Sequence, residues 1–324
     1  MESVKIRPLS LGLVGVGRQM SEVLVPALMA SRPWTIRAVC DPDQGQLDAF
    51  SHTFATESVY LDLERMLESE QLDALLVAVG HRANFGILSA ALNHGISVFV
   101  EKTPVLTVEE ADQIVELQRR TGRWVMVGFN RRFAEPYRQA KQLVSEPAFG
   151  GVLMFQSQFH ARRYDVDSFV INHVIHHLDL ARFLLGEIDI VDVQRIAPSE
   201  GVVGYTISFR VSGGGIGTIQ SGSMLDARFP VERLELLGMG GNIVVDNLGR
   251  LVHNRAPGTA ALVDESGAWN PTAYRAPHRN LVGYESELAH FLENIRAGTK
   301  PTPDMADARR TMLLVEQVET LAQL

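Results

Sequence analysis

The chain has 324 residues, of which 46% are hydrophobic and 21% charged, a composition that is usual for globular proteins with a full core. A net charge of −8 argues against a protein that binds nucleic acid or attaches to membranes through a basic patch. Its one cysteine, Cys40, excludes an intrachain disulfide and a metal site built on thiolates. We recognise no signal peptide and no apolar run long enough to span a bilayer, so we expect a cytoplasmic protein.

The first 128 residues alternate short apolar runs with segments of helical character. They predict strands over residues 9–16, 35–40, 72–79, 96–100 and 124–127, and helices over 18–31, 44–54, 83–94 and 107–120. Pro26 should kink the first helix, and Thr107 with Glu110 forms a capping box before the last one. This alternation is typical of an α/β doubly wound parallel sheet, so we expect a Rossmann domain over residues 1–128.

The pattern changes after about residue 150. Strands are predicted near residues 152–159, 188–196, 203–211, 216–223, 231–237, 242–246 and 250–253, and helices over 172–185, 281–297 and 304–322. Residues 254–280 resemble a long loop rich in proline and glycine. Short turns between the strands favour antiparallel pairing. We therefore predict a second, α+β domain over residues 129–324 that binds substrate and mediates dimerisation.

A glycine turn follows the first predicted strand. Gly15 would allow the tight turn, and Gly17 would let the backbone approach a pyrophosphate at the start of the next helix. Met20 replaces the third glycine of the dinucleotide fingerprint, and an ordinary glycine turn is the alternative. Asp41 ends the second strand, where a carboxylate accepts hydrogen bonds from the ribose hydroxyls and repels a 2′-phosphate. We expect NAD as the cofactor, with NADP less favoured.

Lys102 follows the fourth predicted strand, within Glu101-Lys102-Thr103-Pro104. The carboxyl ends of parallel strands face the crevice in which ligands bind, so this lysine is a candidate for proton transfer at a substrate hydroxyl. The alternative is a solvated lysine at the end of a strand.

The helix predicted over residues 172–185 carries a second candidate group. At helical spacing Asn172, His176 and Asp179 share one face, and a histidine near a carboxylate is suited to carrying protons. The alternative is a histidine with a structural role inside the fold. His173 and His177 have the spacing of zinc ligands, but no third ligand is evident, so we expect no metal.

A third motif, Gly128-Phe129-Asn130-Arg131-Arg132-Phe133, follows the last strand of the first domain. Its amide and guanidinium groups are placed to reach cofactor or substrate, and the alternative is an exposed basic turn.

In their order these motifs resemble the Gfo/Idh/MocA oxidoreductase family, and most closely its MviM-type members. The resemblance rests on the glycine turn, Asp41, the motifs at Glu101–Pro104 and Gly128–Phe133, Gly150-Gly151-Val152, and His176 with Asp179 before Leu184-Leu185-Gly186. It implies a Rossmann domain and a C-terminal domain with an open, mostly antiparallel sheet that forms a homodimer or homotetramer. It also implies hydride transfer between a nicotinamide and a hydroxyl-bearing carbon of a sugar, inositol or related polyol.

The resemblance implies roles for individual residues. Lys102 and His176 match the family's catalytic lysine and histidine. The residues expected to bind the cofactor are Gly15, Gly17, Arg18, Gln19, Asp41, Val79, Gly80, Asn84, Glu101, Lys102 and Asn130. Those expected to bind the substrate are Lys102, Arg131, Arg162, Asn172, His176 and Tyr284.

Besides Met20, the chain departs from the family pattern in two further motifs. Asn172 replaces the aspartate of the family's D-x-G-x-H motif, so it supplies no charge to raise the basicity of His176. Val79-Gly80 replaces Thr-Pro, and Asn84 replaces the histidine that usually follows. Two other functions stay open: a reductase of a non-sugar substrate such as a cyclic imine, tetrapyrrole or dihydrodiol, and a non-catalytic NAD-binding regulator.

Overall fold

A computed structural model of the chain describes residues 7–31, 33–160, 166–225, 231–255, 259–265 and 282–323. The chain divides into two units, each formed by two segments. The first unit comprises Met1–Phe129 and Tyr284–Arg309, and the second comprises Asn130–Gly283 and Arg310–Leu324. The predicted division into a dinucleotide-binding domain over 1–128 and a substrate-binding domain over 129–324 stays a prediction.

The first unit contains a parallel sheet of six strands in the order β3-β2-β1-β4-β5-β6. The strands are β1 (Leu9–Val14), β2 (Trp34–Cys40), β3 (Ser58–Tyr60), β4 (Ala74–Val77), β5 (Ser97–Glu101) and β6 (Val125–Gly128). Every residue of β4, β5 and β6 is buried, as expected for strands covered on both faces. The strand order reverses between β1 and β4, and such folds bind ligands beside the carboxyl ends of the strands at this reversal.

Helices connect these strands. They are α1 (Val25–Leu28), α2 (Gln44–Thr53), α3 (Leu63–Ser69), α4 (His81–Asn93) and α5 (Val108–Thr121), with α8 (Tyr284–Ala297) and the start of α9 (Met305–Leu321) added from the C-terminal segment. The predicted cap of α5 is confirmed: the Glu110 N–H donates to the Thr107 hydroxyl over 3.1 Å, and Gly122 ends the helix with a φ of 65°.

The structure changes two predictions for this unit. The helix expected over residues 18–31 is divided into a π turn at Met20–Leu24, α1, and a 3-10 turn at Met29–Ser31. Pro26 lies in the first turn of α1, where its missing N–H is tolerated. The strand β3 and helix α3 were not predicted, because a three-residue, partly exposed strand has too little apolar periodicity to be recognised.

The second unit contains an eight-stranded sheet in the order β14-β13-β12-β11-β7-β10-β9-β8. Its strands are β7 (Met154–His160), β8 (Ile188–Ser199), β9 (Val202–Val211), β10 (Ile216–Gly222), β11 (Val231–Gly238), β12 (Gly241–Asp246), β13 (Arg250–Arg255) and β14 (Thr259–Glu265). Only β7 and β10 pair in parallel among these strands. The predicted mostly antiparallel sheet is thus confirmed, whereas β14 corrects part of the loop expected over residues 254–280.

The helices of the second unit include one that was not predicted, α6 (Glu135–Val144). Helix α7 (Ile175–Leu185) is preceded by a π turn at Val170–Val174 and ends at Gly186, and 3-10 turns cover Asn130–Phe133, Pro147–Phe149 and Val166–Ser168. Among the residues described, none of the helices is both long and apolar enough to cross a bilayer.

Candidate active site

The turn after β1 has the geometry that its glycine requires. Gly15 has a φ of +77°, and its N–H donates to the carbonyl oxygen of Cys40 over 2.9 Å. A Cβ at this position would lie 2.4 Å from Val79 Cγ1 and 2.6 Å from the Ala78 carbonyl oxygen. Both the conformation and the close approach of the segment after β4 therefore demand glycine here.

Asp41 is joined to this turn by a hydrogen bond. Its Oδ2 accepts from the Val16 N–H over 3.0 Å, and its Oδ1 accepts from the Asp43 N–H over 3.0 Å. A Cβ on Gly17 would have only the Gln46 side-chain oxygen within 4 Å, at 3.9 Å. The turn thus leaves space beside Gly17 and places a carboxylate at the end of β2, as binding of a dinucleotide requires.

Asn84 links the first turn of α4 to the loop that follows β5. Its Nδ2 donates to the Thr103 carbonyl oxygen over 2.8 Å, and its side chain is 2% exposed. Its buried Oδ1 has no hydrogen-bond partner within the part of the chain that the structure describes. Since buried polar atoms are normally paired, this oxygen is suited to accept from a bound group. Val79 and Gly80 precede this helix, and Gly80 is exposed at its N-cap.

Glu101 and Lys102 lie at the carboxyl end of β5. The Glu101 side chain is buried, and its Oε1 accepts a hydrogen bond from Gln19 Nε2 over 2.8 Å. Burial raises the pKa of Glu101 above its usual value, although the Lys102 charge and the Gln19 hydrogen bond oppose the shift. Lys102 is half-buried, and Arg18 points outward to Glu22.

His176 is a half-buried residue of α7, in the second unit. Its ring meets the ring of Phe159 edge-on, with the centroids 6.0 Å apart and the planes at 87°. Asn172, also half-buried, lies in the π turn before α7. A π turn has a longer repeat than an α-helix, so the shared face predicted for Asn172 and His176 does not follow from their spacing.

His173 and His177 both stack on Phe159, with centroid separations of 4.0 and 4.5 Å. His173 Nε2 also lies 3.2 Å from the Phe159 carbonyl oxygen. Across the described ranges, no group of three or more histidine, cysteine or acidic side chains is arranged to hold a metal ion.

Arg131 is buried rather than exposed. Its guanidinium donates to both oxygens of Glu232, over 2.9 and 2.8 Å, and its side chain is 3% exposed. The alternative prediction of an exposed basic turn is therefore wrong, because Glu232 supplies a buried counter-charge. Asn130 is buried as well and donates to the Val282 carbonyl oxygen over 2.8 Å. Arg162, predicted to bind substrate, lies outside the described residues.

Glu232 was not identified from the sequence. Tyr137 donates to its Oε1 over 2.9 Å, and His177 Nε2 lies 3.6 Å from the same oxygen. Burial disfavours the ionised form, but Arg131 and His177 outweigh it, so the pKa of Glu232 lies below its usual range. The sequence did contain a signal for Glu232. It lies on the same face of β11 as Leu234 and Leu236, and an acid on the apolar face of a strand needs a buried partner.

Comparisons with known proteins agree with this architecture. A family model described as an oxidoreductase family with an NAD-binding Rossmann fold matches residues 9–129, and the GFO/IDH/MocA C-terminal domain model matches residues 137–244. The chain is 24% identical to a myo-inositol 2-dehydrogenase from Thermotoga maritima, over 94% of this chain and 93% of that protein. It is 28% identical to a D-apiose dehydrogenase from Paraburkholderia graminis, over 87% and 79%.

A solved structure shares the fold of the whole chain. The dehydrogenase MviM from Clostridium difficile superposes with a TM-score of 0.81 at 21% identity, covering 97% of this chain and 99% of that one. The first unit also has the glycine turn, the acid after β2 and the lysine after β5 on which the sequence resemblance rests. The chain belongs to the Gfo/Idh/MocA oxidoreductase family.

Proposed function

We propose that this protein is an NAD-dependent dehydrogenase that oxidises a hydroxyl-bearing carbon of a polyol or sugar. The observation that carries the proposal is the glycine turn at the strand-order reversal, tied through Gln19 to the strand end that bears Lys102. This arrangement joins the expected pyrophosphate site to the expected site of proton transfer within one unit. The myo-inositol and D-apiose dehydrogenases among the relatives support polyols and sugars as the substrate class.

The residues proposed to hold NAD fit that group. Gly15 and Gly17 shape the turn for the pyrophosphate, with Arg18 and Gln19 at the start of the helix, and Asp41 accepts from the ribose hydroxyls. The buried oxygen of Asn84 supplies a further acceptor. The other positions proposed to line the cofactor are Val79, Gly80, Glu101, Lys102 and Asn130. Because Asp41 repels a 2′-phosphate, NAD is preferred over NADP.

His176 and Lys102 are proposed as the catalytic residues. When bound, NAD⁺ accepts the hydride from the substrate carbon. His176 removes the proton of the substrate hydroxyl, and Lys102 donates a hydrogen bond to the same oxygen and assists the proton transfer.

The remaining substrate contacts are assigned by their chemistry. Asn172, Arg131, Arg162 and Tyr284 are proposed to bind hydroxyl groups of the substrate. Asn172 both donates and accepts hydrogen bonds but carries no charge, so the basicity of His176 depends on its other surroundings.

We propose that the protein forms a homodimer or homotetramer and that it is located in the cytoplasm. Exposed apolar side chains on the large sheet support assembly, among them Met154 and Ile216, which are adjacent in the register of β7 and β10. The single cysteine of the sequence supports a reducing compartment.

The proposal is tested by the absorbance of NADH. Purified protein is incubated with NAD⁺ and a panel of polyols and sugars that includes myo-inositol and D-apiose, and NAD⁺ binding is measured separately by calorimetry. We expect NADH to form with at least one member of the panel. Tight NAD⁺ binding without turnover of any member would contradict the proposed activity and favour a regulator.

A further inference from the structure

Glu101 is a buried carboxylate directly before the proposed catalytic lysine. It is the last residue of β5, is 9% exposed, and pairs with Gly128 of β6 in the register of the sheet. A Cβ at Gly128 would lie 3.3 Å from Glu101 Oε2 and 3.3 Å from its Cα. The absence of a side chain at Gly128 thus leaves room for the Glu101 carboxylate. The packing of the sheet therefore determines where this carboxylate lies.

The carboxylate is held by a side chain from the glycine turn. Gln19 Nε2 donates to Glu101 Oε1 over 2.8 Å and lies 3.4 Å from the Tyr284 hydroxyl. The backbone N–H of Lys102 also favours the ionised form of the Glu101 carboxylate. A buried carboxylate stays ionised only where donors or cations compensate for its lost hydration, so the Gln19 amide favours the charged form.

The charge of Glu101 acts on its neighbour. The Lys102 charge favours ionisation of Glu101, and by reciprocity an ionised Glu101 favours the ammonium form of Lys102. The hydrogen bond from Gln19 therefore influences Lys102 through the charge of Glu101.

We propose that Gln19 is a positioning residue for Lys102: its amide holds the Glu101 carboxylate in place beside Lys102 and favours its ionised form, and that charge favours an ammonium on Lys102 that can donate to a substrate oxygen. Only the donation from Lys102 to a substrate oxygen rests on the proposed function. The electrostatic coupling among the three side chains is a property of the first unit alone.

The coupling can be measured directly on Lys102. The sequence contains four lysines, Lys5, Lys102, Lys141 and Lys300, so lysine labelled with ¹³C at Cε gives a simple NMR spectrum. The Lys102 signal is identified by its loss in Lys102→Arg, and its chemical shift is followed against pH in the full-length protein. In Gln19→Met, which has a similar length but no donor, Lys102 should titrate lower by roughly half a pH unit or more.

Matched variants distinguish coupling between Gln19 and Lys102 from an unspecific effect of removing an amide side chain. Gln44→Met removes a different amide, which donates to Asp48 on the surface of α2, and should leave the Lys102 titration unchanged. Glu101→Gln should lower the Lys102 titration by itself, and adding Gln19→Met to it should cause no further shift. A Lys102 titration unchanged in Gln19→Met, or an equal shift in the Glu101→Gln background, would overturn the proposal.

Two further outcomes are distinguishable. If the Gln19→Met variant does not fold, the Glu101→Gln variant is used as the test in its place. An unchanged Lys102 titration in Glu101→Gln then refutes the coupling between Glu101 and Lys102. The NMR titration needs no turnover, so failure to oxidise any polyol would count against the proposed function alone. Where turnover is found, the limb of the kcat/KM profile that matches the Lys102 titration should move to lower pH in Gln19→Met, and an unmoved limb would contradict the positioning role.

Discussion

Arg132 donates to both carboxylate oxygens of Asp179, over 2.7 Å from Nε and 2.6 Å from Nη2. Asp179 is 1% exposed, and the Thr311 hydroxyl donates to its Oδ1 over 3.1 Å. Arg182 in turn donates to that hydroxyl over 2.8 Å. The acid that the sequence placed on the same helix face as His176 is thus bonded to the turn before α6 and to α9, and it anchors the helix that carries the histidine.

Removing the cation of this pair should destabilise the protein. Arg132→Met removes the guanidinium that pairs with the buried Asp179 carboxylate, and loss of one partner of a buried pair costs about 3 kcal/mol. We expect the urea midpoint to fall accordingly in equilibrium unfolding. Arg138→Met, which removes a guanidinium 3.9 Å from Glu135 on the surface, is the matched control and should have little effect. Equal midpoints for Arg132→Met and wild type would contradict the anchoring role.

Buried His177 should make the protein sensitive to acid. Burial lowers its pKa below the usual value, against the opposing effect of Glu232. Below about pH 6.5, His177 therefore binds a proton in the unfolded chain but stays neutral in the folded chain. The free energy of unfolding then falls by up to about 1.4 kcal/mol for each pH unit below that point.

In His177→Phe, the decline in the free energy of unfolding between about pH 6.5 and 5 should be shallower. The measurement is chemical denaturation at a series of pH values. His52→Gln, a change at an exposed histidine of α2, should keep the wild-type slope. A slope that His177→Phe leaves intact would show that the acid sensitivity arises elsewhere.

The two proposed catalytic residues should affect turnover and not cofactor affinity. Lys102→Ala and His176→Ala should each abolish NADH formation, because each removes a group that handles the hydroxyl proton. The Kd for NAD⁺, measured by calorimetry, should stay within a few-fold of wild type. Loss of NAD⁺ binding in both variants would contradict the catalytic assignment, because the lost turnover would then follow from the lost cofactor.

Asp41 should determine the preference between the two dinucleotides. Asp41→Ala removes the charge that repels a 2′-phosphate, so the ratio of kcat/KM for NAD⁺ to that for NADP⁺ should fall. The N-cap of α2 provides the control: Asp43→Ala removes an acceptor for the Gly45 N–H and should leave the ratio as it is. An unchanged ratio in Asp41→Ala would refute the ribose assignment.

Features set by local sequence were predictable. The glycine turn, the cap of α5 and most buried strands follow from positive φ, capping chemistry and apolar runs, and all three are confirmed. Helix α6 was missed although Glu135 and Pro136 lie in its first turn and Lys141 in its last, whereas the strand β3 and the π turn before α7 have no comparable local signal. Their hydrogen bonds and packing depend on neighbours supplied by the fold.

The roles of the polar side chains were harder to predict because their partners are distant in sequence. The Arg131–Glu232 pair joins residues 101 positions apart, and Gln19 meets Glu101 across 82 positions. The family resemblance identified Gln19, Glu101 and Arg131 as candidates but could not show that they bond to protein groups.

We expect hydride to move directly from the substrate carbon to NAD⁺. The most direct measurement uses an oxidised member of the panel with deuterium on the hydroxyl-bearing carbon, and mass spectrometry of the NADH that forms. Direct transfer predicts NADH that carries the deuterium. NADH without deuterium, formed from the labelled compound, would contradict the account.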